Sequence, residues 1–244
     1  MICQYVAQKY NLFLLCVNKA FCYFRIMTNQ EIIDQTVVYL QHKFAHEATG
    51  HDWYHIERVW KLAKQIAAKE SKADLFVVEL GALLHDIADH KFYDGDDTIG
   101  PQKARDYLSQ FDIEVHKIDL VVQIVEEVSF KGKGVPTPMS SLEGAIVQDA
   151  DRLDAIGAIG IARTFAYGGS KNRPIYDPNV KPICHTSFAA YKTSTAPTIN
   201  HFYEKLLSLR DKMNTQTGKI EAKRRHEFME LFLQNFYQDW EGSL

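Results

Sequence analysis

A chain of 244 residues with 46% apolar content is long enough to bury one substantial core and short enough to be a single domain. Its net charge of -3, from 28 basic and 31 acidic residues mixed along the chain, gives no overall field that would favour a nucleic acid polymer or an anionic membrane, so any phosphate recognition has to be local. Four cysteines, with Cys3, Cys16 and Cys22 near the start and Cys184 alone, are too few for a disulfide framework and point to a reducing cytoplasm.

The apolar patch Leu12-Phe13-Leu14-Leu15-Cys16-Val17 is interrupted at Asn18-Lys19, well short of the ~20 residues that span a bilayer. No small-residue cleavage site follows it. Residues 1–26 are therefore expected to be an upstream-start extension ahead of Met27, with a packing strand or helix as the alternative. Residues 27–244 are expected to form one domain.

From Asn29 the apolar residues Ile32, Ile33, Val37 and Leu40 recur at helical spacing, predicting an amphipathic helix to about His46, capped by Thr28 or Asn29. Thr49-Gly50-His51-Asp52 reads as a break and an N-cap, and the next helix carries His55, Val59, Leu62, Ile66 and Ala67. Asp74 caps a third helix whose run from Leu75 to Leu84 has Glu79 as its one strongly polar member, the pattern of a helix buried on most sides. After His85-Asp86 comes a polar loop over Asp94 to Gly100, then a helix opened by Pro101. Helices are expected over Ile113 to Val128 and Leu142 to Phe165, a long surface excursion over Tyr167 to Pro197, and helices over Ile199 to Met213 and Ile220 to Trp240. Period-two alternation is absent, so the expected fold is all-α, a helical bundle. Its core covers about residues 29–165, and the excursion and C-terminal helices cover 166–244.

Chemistry is concentrated in His55 of His-Ile-Glu-Arg-Val, the pair His85-Asp86 at the end of the apolar run, and Asp151 of Asp-Ala-Asp-Arg-Leu-Asp. A carboxylate beside a buried face is costly unless something pairs with it, and a divalent cation is such a partner. Two imidazoles and two carboxylates suit Mn best, with Mg, Fe, Ni or Zn as alternatives, and leave two positions of an octahedral ion open for water and substrate. Such an ion withdraws charge from a phosphoryl oxygen and lowers the pKa of a water.

In this order, each on a helix, these motifs resemble the HD-domain phosphohydrolase family over about Asn29 to Phe165. Gly-Gly-Ser-Lys-Asn-Arg-Pro-Ile-Tyr-Asp from Gly168 and Arg-His-Glu-Phe-Met around His226 look like a bacterial subgroup similar to nucleotide pyrophosphohydrolases. The resemblance implies one divalent metal held by His55, His85, Asp86 and Asp151. It implies hydrolysis of phosphate or pyrophosphate from a small phosphorylated molecule, a nucleotide or deoxynucleotide above all. Asp89, three residues after Asp86, resembles the acidic residue of nucleotidase members and is the expected base, with His90 its rival. Arg58 and Arg152 are expected to balance phosphate charge, with Lys91, Lys131, Lys171 and Arg173 as further phosphate ligands. His51-Asp52 is a second His-Asp pair, but Asp52 is assigned to capping, and Asp149 and Asp154 to supporting roles. Phe228, Phe232, Phe236 and Tyr237 are expected to be packing.

Two other readings compete. One is a protein that binds a nucleotide or metal without turning it over. The other is a di-iron oxygenase of the same fold, disfavoured because His90 and His116 are the only further histidines between Asp86 and Asp151. A cyclic-dinucleotide phosphodiesterase of the HD-GYP type is disfavoured because no Gly-Tyr-Pro follows. The reading leaves a homodimer open and expects no membrane partner.

Overall fold

The computed structural model describes residues 27–45, 52–70, 72–88, 98–129, 136–183 and 195–242, together with the backbone of two short strands. The strands, β1 (Phe13–Cys16) and β2 (Cys22–Arg25), form an antiparallel hairpin in which Phe13 pairs with Arg25 and Cys16 with Cys22. They lie within the stretch expected to be an extension. Among the described residues everything else in regular structure is helical: α1 (Asn29–Lys43), α2 (Trp53–Ala67), α3 (Leu75–Leu84), α4 (Ile99–Leu108), α5 (Val115–Glu127), α6 (Leu142–Asp154), α7 (Gly157–Ser170), α8 (Asn200–Glu204), a 3-10 helix (Leu206–Lys212) and α9 (Gln216–Glu241).

The helix starts follow from short polar side chains that satisfy orphan backbone N–H groups. Thr28 and Glu31 make a reciprocal capping box on α1. Asp52 accepts from the N–H of His55 at 2.9 Å, so the residue expected to cap α2 does so and thereby fixes the first turn that carries His55. Asp74 accepts from the N–H groups of Phe76 and Val77 at the start of α3.

Helix α3 is the axis of the bundle. It packs against α1, α2, α5 and α6, and its residues from Phe76 to Leu84 are all buried, which is why its sequence shows an almost unbroken apolar run instead of a stripe. The polar exception, Glu79, is buried against the indole N–H of Trp60 at 3.0 Å and the Lys64 ammonium at 3.0 Å. Helix α2 lies between α3 and α6, burying Ile56, Val59, Ala63 and Ile66. The first turn of α2, the C-terminal end of α3 and the last turn of α6 meet at one end of the bundle.

Four sequence expectations are corrected. The single helix expected over Leu142 to Phe165 is two, broken where Ile156 is extended and Gly157 takes φ +79°, a conformation that glycine adopts without a Cβ clash. The second of them runs on to Ser170. The helix expected over Ile199 to Met213 is a five-residue α-helix followed by 3-10 geometry. Pro101 is the third residue of its helix, still within the turn where a missing N–H costs nothing. Of the expected excursion, residues 171–183 are free of helix and strand and mostly exposed, residues 184–194 lie outside the described residues, and the described part is held to the bundle where Thr198 and Ile199 donate to the carbonyls of Pro174 and Ile175 and Tyr176 packs edge-on against Phe236, Tyr237 and Trp240. Of the aromatics expected to pack on α9, Phe232, Phe236 and Tyr237 do, and Phe228 is exposed.

Candidate metal centre

His55 sits on the first turn of α2, His85 and Asp86 on the turn that leaves α3, and Asp151 one turn before the end of α6. Their ligand atoms converge. His55 Nε2 lies 3.2 Å from His85 Nε2, 3.4 Å from Asp86 Oδ2 and 3.5 Å from Asp151 Oδ1. His85 Nε2 lies 3.5 Å from Asp86 Oδ2 and 3.9 Å from Asp151 Oδ1. Donors about 2.1 Å from one cation stand roughly 3 to 3.5 Å apart, and His55, His85 and Asp86 offer three ligand atoms within 4.8 Å of one another, a group that could hold a metal ion, with Asp151, the expected fourth, lying beside the two histidines.

The protonation pattern makes the same demand. His85 Nδ1 donates to the carbonyl of Ala82 at 2.8 Å, and His55 Nδ1 donates to the Asp154 carboxylate at 2.7 Å. In the neutral imidazoles both Nε2 atoms then carry lone pairs. Two lone pairs thus face the Asp86 oxygen, with the Asp151 oxygen beside both histidines, and a cation would satisfy these acceptors. In its place a proton can serve. Burial lowers the pKa of His55, but the carboxylates of Asp154 and Asp86 outweigh it and raise it to about 9. The histidines are buried, whereas the side chains of Asp86 and Asp151 are 19% and 31% exposed, so the cluster opens to solvent on its carboxylate side.

Behind His55 stands Asp154. This carboxylate is buried and accepts from His55 Nδ1, from Arg58 Nε at 2.7 Å and Nη2 at 3.1 Å, and from Arg163 Nη1 at 2.6 Å. Burial alone would raise its pKa, but the bonds from His55 and Arg58 hold it far below the usual carboxylate range. Asp149, its counterpart one and a half turns earlier, faces away from the cluster. It accepts from the N–H groups of Asn214 and Thr215 at 2.8 and 2.7 Å and from the Thr215 hydroxyl at 2.8 Å, anchoring the start of α9 to α6.

The basic residues expected around the substrate divide. Arg58 lies next to the cluster, bound through Asp154. Arg152 does not turn toward the ligands: buried, it donates to the carbonyl of Lys212 and at 2.7 Å to the hydroxyl of Thr137, so it ties the 3-10 helix and the segment before α6 together. Lys171 and Arg173 lie over the Tyr167 ring at 5.7 and 5.6 Å, past the C-terminal end of α7. Asp89, His90, Lys91 and Lys131 are outside the described residues. Arg163 is the residue that sequence reading missed. Nothing local marks it, and the signal available was that a buried Asp154 demands cations, one of which a following helix would supply.

Comparison with known proteins bears on the same residues. The HD domain model matches residues 52–156, from the cap of α2 to just past α6. The uncharacterized protein YpgQ of Bacillus subtilis is 39% identical over 211 residues, spanning 86% of this chain and 94% of YpgQ. Among solved structures, an HD-superfamily hydrolase from Bacillus thuringiensis is 42% identical, with a TM-score of 0.69 over 88% of this chain and 99% of that one. The crystal structure of YpgQ in complex with ADP gives 39% identity and a TM-score of 0.67 over 87% and 97%.

Proposed function

This chain belongs to the HD domain family, and we propose that it is a metal-dependent phosphohydrolase whose substrate is a nucleotide or deoxynucleotide, from which it releases phosphate or pyrophosphate. The observation that carries this reading is the convergence of His55, His85, Asp86 and Asp151 into an acceptor-only cluster open to solvent on its carboxylate side. The similarity to an HD-superfamily hydrolase supports the reaction class, and ADP bound to YpgQ supports the substrate class.

A divalent cation in that cluster, with Mn the first choice and Mg, Fe, Ni or Zn as alternatives, supplies Lewis acidity toward a phosphoryl oxygen and acidifies a water. The protein's own part is orientation, charge and proton transfer. His55 and His85 are fixed in one tautomer each by Asp154 and the Ala82 carbonyl, so their Nε2 atoms stay available. Asp89, three residues after Asp86, is assigned the proton of the attacking water. Arg58 keeps Nη1 outside its two-bond grip on Asp154 and its side chain is 32% exposed, so it can meet phosphate charge from beside the cluster. Lys91 and Lys131 are assigned to phosphate charge. Arg152, with its donors bound to Lys212 and Thr137, is not carried into this assignment.

The test is a panel of nucleoside mono-, di- and triphosphates presented to purified protein with added Mn, with chromatographic detection of phosphate and pyrophosphate. Turnover that vanishes in His85→Ala and Asp151→Ala is the expected result. A protein that binds Mn yet leaves every nucleotide intact would overturn the assignment.

A further inference from the structure

We propose that Arg163 is a positioning residue of the metal centre, acting through Asp154 to hold that carboxylate in the orientation that meets His55. The role rests on the metal centre assigned above, and none of the sequence motifs contains it.

Asp154 has two oxygens of unequal duty. Oδ2 receives His55 Nδ1 at 2.7 Å, and Oδ1 receives Arg58 Nε at 2.7 Å. Arg58 reaches Oδ2 as well, but at 3.1 Å. Left with Arg58 alone, the carboxylate is free to rotate about Cβ–Cγ until the guanidinium fork is centred on both oxygens, the preferred geometry of such a pair, and the His55 bond then lengthens or bends. Arg163 prevents this. It approaches Oδ2 from α7 at 2.6 Å, a short charge-assisted bond on the same oxygen that His55 uses. The carboxylate is held by three donors from two directions, and the plane of the His55 ring follows from it.

The chain has a specific device for bringing Arg163 there. Asp154 is the last residue of α6, and α7 starts three residues later at the left-handed Gly157, after the extended Ile156. That reversal folds the second turn of α7 back over the end of α6, where Arg163 meets Asp154. From α9, Arg225 packs its methylenes on Gly157 and donates to the carbonyl of Leu153 at 2.6 Å, closing the corner from outside. His55 and Arg58 come from α2, Asp154 from α6 and Arg163 from α7. The centre therefore depends on the α6–α7 corner, although α7 supplies none of its four ligands.

Partners behind a metal-bound histidine typically contribute about 10- to 100-fold to metal affinity. Arg163 lies one bond further out, so about tenfold is expected. The experiment is calorimetric titration of Mn into the wild-type protein, Arg163→Ala and Arg163→Lys at one pH. Long-range 1H–15N NMR of the zinc-loaded forms then reads the proton on His55 Nδ1. Arg163→Ala is expected to weaken binding about tenfold and to lose or shift the Nδ1–H resonance, while Arg163→Lys, which keeps a single donor and the charge, recovers part of both. Equal affinity with an unchanged resonance in all three would overturn the role and leave the metal centre standing. A wild-type protein that binds no divalent ion would overturn both.

Discussion

His55 Nδ1 and Asp154 Oδ2 are 2.7 Å apart although 99 residues separate them in the chain. The contact lets Asp154 set the tautomer of His55 and leaves Nε2 to its neighbours, the arrangement that would serve a cation in the cluster.

Asp154→Asn should therefore separate orientation from stability. An amide still fits, but it removes the charge that pairs with Arg58 and Arg163. Metal affinity should drop about 10- to 100-fold by calorimetry. The metal-free protein should lose about 3 kcal/mol, the low end for a broken buried pair, because both arginines are part-exposed and water reaches them. Undiminished Mn affinity in this variant would show that the contact does not orient His55.

Proton and cation compete for one place, and the pH dependence follows. In the metal-free protein the pKa of His55 is raised from 6.5 to about 9, burial being outweighed by Asp154 and Asp86. Its pairing with those carboxylates thus stabilises the metal-free fold fully below pH 6.5, and that contribution drains away as the pH climbs through about 9. Metal binding runs the other way. Each ion displaces close to one proton, so the apparent affinity should rise by up to about tenfold per pH unit toward pH 9. Titrations in two buffers of different ionisation enthalpy count that proton, and a count near zero would contradict the competition.

The helical order, the caps Thr28, Asp52 and Asp74, and the side chains His55, His85 and Asp86 that the fold brings together were legible in the sequence because each is a local signal: a polar residue before an apolar period, or an ionisable group at the edge of such a period. Arg152 shows where local reading fails. Its place beside Asp151 in the chain suggests the site, but successive helical residues diverge by 100°, and the buried guanidinium reaches the Lys212 carbonyl instead. Arg163 fails in the opposite sense, since proximity to Asp154 is created by a corner that periodicity does not report. Gly157 holds the information, but a glycine inside a helical pattern reads equally as a tolerated interruption until its φ is known.

Asp149 and Asp154 lie on one helix, and mutation should assign them opposite weights. Asp149→Ala strands the N–H groups of Asn214 and Thr215 and the Thr215 hydroxyl. Thr215 is buried and Asn214 exposed, so with each buried unsatisfied donor costing about 1 to 3 kcal/mol the two Thr215 donors set an expected loss of at least about 2 kcal/mol, read as a lower denaturation midpoint. Mn affinity of the folded fraction should stay within about twofold of wild type, because the side chain does not touch the metal centre. A selective loss of metal binding at unchanged stability would reverse the two assignments.

The α6–α7 corner makes a last comparison possible between two glycines three residues apart. At Gly157 the backbone is left-handed, φ +79°, and an added Cβ would lie 3.0 Å from Cγ of Arg225. The crowding atoms are the Cβ and Cγ of Arg225, whose guanidinium is bound to Glu221 and the Leu153 carbonyl, so Gly157→Ala should cost the conformational penalty of about 1 to 2 kcal/mol together with a shift of a few tenths of an ångström in Arg225. Gly160 has ordinary helical geometry, but its Cβ would run into the carbonyl oxygen of Ala155, which belongs to the backbone of the corner and cannot step aside without moving α7. Gly160→Ala should therefore be the more damaging of the two, despite alanine's higher helix propensity. Because the displaced element carries Arg163, its loss should appear in both denaturation midpoint and Mn affinity. Equal or reversed penalties would mean that the corner relaxes without shifting α7, and that the centre tolerates more play than the short Arg163–Asp154 bond implies.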